Sequence, residues 1–128
     1  PGHWAARKTA RNAIKNANLT MWSIKYFNVR VQQGIEGWPT GIYADFLRLA
    51  ELMTRHGADL RMPFSRALGQ GLFELRCKGA EGIGRAFYCT MVGQEIVILH
   101  GFIKKSQATP DREMAIARKR LKELRDAW

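Results

Sequence analysis

Three strand-like runs follow one another with very little chain between them: Leu72 to Lys78, Gly84 to Met91 and Glu95 to Phe102. The second and third are separated only by "VGQ", a short glycine-containing turn. Parallel neighbours need a crossover of a dozen or more residues, so connections this short force an antiparallel meander. A sheet of this kind has an apolar face to cover, and the rest of the chain must supply the cover.

Helical spacing supplies it twice. Ile42, Phe46, Leu49 and Met53 form one apolar stripe, with Thr40 placed to cap the helix and Gly57 to end it. A final helix opens with Thr109 as N-cap, Pro110 in the first helical position, and Asp111 and Glu113 in the first turn. Its apolar face is Met114, Ala117, Leu121 and Leu124, and Arg118, Lys119, Arg120, Lys122 and Arg125 solvate the remainder. Upstream, "WSIKYFNVRV" (22–31) alternates like a strand, and "QQGIEGWPTG" then breaks it. Residues 58–71 read as loop with a short turn. The expected order is strand, helix, three strands, helix: an α+β fold, a small antiparallel sheet packed against helices.

With 128 residues, 46% of them hydrophobic, the chain suits one domain with one core, placed at residues 21–128. Residues 1–20 differ, with four cations, no acids and little apolar surface. They are expected to be a dispensable tag, leader or basic helix; as a native segment they would serve as a basic arm on nucleic acid. The formal charge of +10 points to a polyanionic partner, nucleic acid first, then an acidic protein or an anionic membrane. Cys77 and Cys89 lack metal-ligand spacing and read as buried free thiols. No apolar run approaches a membrane span and no signal-peptide core is visible, so a soluble, cytoplasmic protein without membrane attachment is expected.

In "LFELRCK", Phe73, Leu75 and Cys77 alternate with Glu74, Arg76 and Lys78, so one face of the strand is charged. The plain explanation is a solvated sheet face. Arg85 opens the neighbouring strand, and a hairpin return brings it near Arg76, but Arg85 shares its face with Phe87, Cys89 and Met91, which leaves its direction open. In "VILHGFIKKSQATP", Lys104 and Lys105 stand at the exit of the last strand, just before a helix N-terminus that favours anions. Arginines on the sheet, lysines at its exit and that helix end together suit a phosphate chain. His100 in the same run reads more simply as a packed residue. No GxSxG, Walker-type loop, HExxH or telling pair of carboxylates occurs.

The combination of "HG…P…LG.GLFELR", "RAFY", "ILHGFIKKSQATP" and the following "E...A..R" helix resembles the phage-derived Gp49-like, HigB-type branch of the RelE/ParE toxin superfamily. The resemblance covers most of residues 21–128. It implies the compact RelE-like microbial RNase fold and the toxin of a type II toxin–antitoxin pair, cleaving mRNA in the ribosomal A site. The implied chemistry needs no metal or cofactor: the RNA 2′-OH attacks the adjacent phosphate, leaving a cyclic phosphate and a free 5′-OH. Cations suit it, because charge builds on phosphate oxygens in the transition state.

By the same resemblance, Arg85 stabilises the phosphate, Arg76 binds it, and Lys104 and Lys105 stabilise the leaving group or position substrate. Glu74 stands about where RelE has a lysine, so it is either a general base or an ion-pair partner of Arg76 or Arg85. Arg66, Lys78, Tyr88 and His100 are expected to contact RNA, with Tyr88 and His100 serving in stacking or proton transfer. The implied partners are a cognate antitoxin, expected to carry a helix-turn-helix domain, and mRNA on the ribosome. Two other readings share these features: a ParE-like inhibitor of DNA gyrase without nuclease activity, and a non-catalytic RNA-binding module.

Overall fold

Asn28 decides the first departure from these expectations. Its extended backbone and its Oδ1, which accepts the Val31 N–H at 2.9 Å, start a helix inside the run expected to be strand. The computed structural model describes residues 21–105 and 110–127; expectations about residues 1–20 and Thr109 fall outside them. The stretch 22–31 is thus divided between a short strand, β1 (Ser23–Tyr26), and a helix, α1 (Val29–Glu36). Val31 and Ile35, four apart, are the buried positions of α1, and Gly37 caps its end.

The second helix, α2 (Thr40–His56), buries the whole expected stripe of Ile42, Phe46, Leu49 and Met53. Pro39, not Thr40, holds the N-cap position, and Gly57, at φ +92°, ends the helix with its N–H on the Met53 carbonyl. Next come four strands, β2 (Ser65–Gly69), β3 (Leu72–Gly79), β4 (Gly82–Met91) and β5 (Glu95–Ile103). β2 lies in the stretch expected to be loop. The chain closes with α3 (Asp111–Asp126), whose N-cap position is Pro110, one residue later than the sequence suggests.

All five strands form one sheet in the order β1-β5-β4-β3-β2. The meander β3–β5 is antiparallel as expected and β2 extends it antiparallel to β3, but β1 lies parallel to β5, with Ser23 opposite Glu95, so the sheet is mixed. Helices cover both faces. Leu75, Cys77, Ala86, Tyr88, Ile96 and Ile98 pack with α1 and α2 on one side. Leu72, Phe87, Cys89, Val97 and Leu99 pack with Ala117 and Leu121 of α3 on the other. Both cysteines are free and buried. Trp38, between α1 and α2, presses onto the sheet where it has no side chains: a Cβ at Gly84 would lie 2.8 Å from its ring, and one at Gly101 would lie 3.0 Å away.

Candidate functional site

On the α3 side of the sheet, apolar positions give way to charge along β3 and β4. Cross-strand register places Arg66 of β2 opposite Glu74, and Arg76 opposite Arg85. Lys104, just past β5, extends the pairing through its N–H on the Ile83 carbonyl at 2.8 Å. Three strands and the exit of a fourth therefore bring four cations around one carboxylate. The direction of Arg85, open from periodicity, is settled by this register together with its ion pair to Glu74.

Glu74 is the feature that departs most from a solvated strand face. Only 2% of its side chain is exposed, and its Oε1 accepts Arg85 Nη1 at 2.5 Å and Arg66 Nη2 at 3.2 Å. A carboxylate can be buried this deeply when cations satisfy it. The expected pairing with Arg85 is present, and Arg66 is a further partner. Arg85 is 11% exposed, and its buried Nε has no hydrogen-bond partner among the described residues. An orphaned, buried donor beside a charged cleft is an arrangement that an anionic ligand would complete.

Lys104 reports the local field. Its ammonium pKa lies below the ordinary value, first through desolvation, then through Arg85, Arg76 and Arg66, with Glu74 opposing them. Arg66, Glu74, Arg76 and Arg85 line a concavity of about 130 Å³ together with Met62, Pro63 and Ser65. The site is cationic, partly shielded from water and built on strands, so its donors are held in place without substrate.

The other expected residues lie elsewhere. Lys105 turns away from Lys104 into a separate concavity with Phe102, Ile103, Pro110, Arg112 and Glu113. The N-terminus of α3 lies there too, and Asp111 and Glu113 already meet its positive end, so it does not join the arginine cleft. His100 Nε2 lies 2.7 Å from Glu113 Oε2, and its ring stacks with those of Phe87 and Phe102; it ties β5 to α3 and does not line the cleft. Lys78 is exposed at the far end of β3 and is outside the cleft lining. Tyr88 corrects an expectation outright. Fully buried under the α2 side, with its hydroxyl donated to the Ala58 carbonyl at 2.5 Å, it has no surface to offer a base. Met62, Pro63 and Ser65 were not anticipated in the lining, because the segment before β2 carries no periodic pattern.

This mixed sheet, with two helices on one face, one on the other and a cationic cleft at the uncovered end, is an α+β fold of the RelE type. The crystal structure of an archaeal RelE–RelB complex from Pyrococcus horikoshii OT3 matches with a TM-score of 0.50 at 18% sequence identity, covering 70% of this chain and 100% of that one. No curated protein matches the chain. The model of the phage-derived Gp49-like family matches residues 33–122, and the chain belongs to that family. The matched range runs from α1 into α3 and contains every residue of the cleft.

Proposed function

We propose that the protein is the toxin of a toxin–antitoxin pair and acts as a ribosome-dependent endoribonuclease on mRNA. The observation that carries this reading is Arg85, largely shielded in a cleft lined by three arginines, its Nε lacking a partner among the described residues. A protein that only bound another protein would have little need to gather phosphate ligands from adjacent strands.

In this reading Arg76 and Arg85 take the scissile phosphate and stabilise the charge that grows on its oxygens. The 2′-oxygen attacks phosphorus and loses its proton to water, and the bond to the 5′-oxygen breaks. Lys104, with its lowered pKa, hands a proton to that departing oxygen, which leaves a 2′,3′-cyclic phosphate and a 5′-OH. Glu74, engaged by two guanidiniums, holds Arg85 and Arg66 in position and is not the base. Arg66 contacts the flanking RNA backbone, Lys105 and Lys78 lie along its path, and no metal is required. Residues 21–128 carry the activity and residues 1–20 are dispensable. The partner is an acidic antitoxin with a helix-turn-helix domain that covers the basic face in the cytoplasm; the comparison structure, itself a toxin–antitoxin complex, supports such a partner.

The test is primer extension on a defined mRNA in a reconstituted translation system, with and without ribosomes. Wild type should give codon-phased cuts that need ribosomes, and Arg85→Ala should lower the cleavage rate about 10²-fold or more while remaining folded. Intact message with wild type would overturn the reading and direct attention to gyrase supercoiling.

A further inference from the structure

The cationic cleft has one apolar wall. Met62 and Pro63 line it beside the arginines. Met62 is 68% exposed, whereas Phe64 is outside the lining, with the Arg48 guanidinium 5.7 Å from its ring centre. Scattered exposed apolar side chains are ordinary. What distinguishes these is how firmly their backbone is held.

Arg61 lies in the left-handed region at φ +67°, its N–H on Asp59 Oδ1 and its carbonyl accepting both the Phe64 and the Ser65 N–H at 3.0 Å. Buried Ser65 accepts the Leu60 N–H at 2.8 Å, and the Phe64 carbonyl accepts the Arg76 N–H at 2.9 Å. Upstream, the Ala58 carbonyl is held by Tyr88. The loop is therefore anchored to the core and to the strand that carries Arg76, while Met62 at its tip faces solvent. A rigid backbone presenting an apolar tip beside phosphate ligands is preorganised for a ligand that has both an anionic and a flat apolar part. Free phosphate or a phosphorylated side chain would use only the cations. A nucleotide of single-stranded RNA uses both, because every base offers a π-face that a thioether or an aromatic ring can cover.

We infer that the Met62–Pro63 tip of loop 61–64 is the base-binding wall of this site, with Met62 as the specificity-determining residue that holds the nucleobase next to the scissile phosphate. The inference rests on the endoribonuclease reading above. It is tested by mapping cut sites on programmed ribosomes for wild type, Met62→Ala and, as a control, Val92→Ala, a still more exposed apolar residue on the β4–β5 turn. Met62→Ala should redistribute the cuts and lower kcat/KM at the preferred sites by about tenfold, mainly through KM, with an unchanged melting temperature. Val92→Ala should behave as wild type.

A message with an abasic nucleotide beside the preferred cut site should slow wild type similarly and slow Met62→Ala no further. Cleavage by Met62→Ala with the wild-type pattern and the wild-type abasic penalty would overturn the inference and leave the nuclease reading standing. Failure of wild type to cut at all would overturn both. Normal cleavage by Met62→Ala combined with weakened antitoxin binding would assign the loop to a protein partner and also overturn it.

Discussion

Glu74 and Lys104 show how individual residues set the character of the cleft. Glu74 stabilises an assembly that would otherwise repel itself, and breaking a buried pair of this kind typically costs about 3–5 kcal/mol, because the partner is left charged and unpaired. Activity lost on replacing Glu74 would therefore report a displaced Arg85 as readily as a missing base. Lys104 is the opposite case. Its lowered pKa means that the folded state disfavours its charge, through desolvation and the neighbouring arginines. The folded protein then binds fewer protons than the unfolded chain near that pKa, so the penalty is present below it and is relieved as the pH rises through it toward the ordinary 10.5. Lys104→Met should accordingly raise the melting temperature at neutral pH and low salt while lowering cleavage. Thermal melts should show the gain shrinking with added salt and with rising pH.

At the scale of elements, what was legible in the sequence followed from how strongly each pattern was written. β3, β4, β5 and α2 emerged at nearly their observed bounds, because alternation and a four-residue apolar stripe leave little choice. The run 22–31 misled because "IKYFNVRV" alternates; the Asn28 cap and the Val31–Ile35 pair on α1 override that alternation. β2 has only five residues, includes Gly69 and has no alternation of its own, so its strand character comes from pairing with β3. Parallel pairing of β1 with β5 is a long-range choice that no local pattern records. The cleft was legible as residue types but not as an arrangement. Arg76, Arg85 and Lys104 could be named, whereas the burial of Glu74 and the core position of Tyr88 depend on which helix covers which face. Trp38 offers an element-scale test. Gly84→Ala would drive a methyl group into Trp38 and Ile42, with contacts near 2.8 Å, and should cost about 1–3 kcal/mol by chemical denaturation, as overpacked cores do.

The whole molecule is a sheet sandwiched between two apolar layers, and both layers contain groups that ionise only at a cost. Burial pushes the Cys89 thiol up to about 11 from 9.0 and the Tyr88 hydroxyl up to about 12 from 10.0, and it raises Cys77 further still. These folded-state values lie above the unfolded ones, so the stability they confer is complete below about pH 9 and is lost as the pH rises toward 12. Melts between pH 7 and 11 should show a falling melting temperature, with Cys89 alone removing on the order of 2 kcal/mol. Cys89→Ala should flatten the decline. The parallel seam between β1 and β5 also bears on how the molecule comes into being. During synthesis β1 emerges early and must wait for β5, which follows every other strand, so the sheet closes late and at high contact order. Lys104 follows directly on β5, so a chain leaving the ribosome holds its cations apart until that strand has emerged and paired with β4.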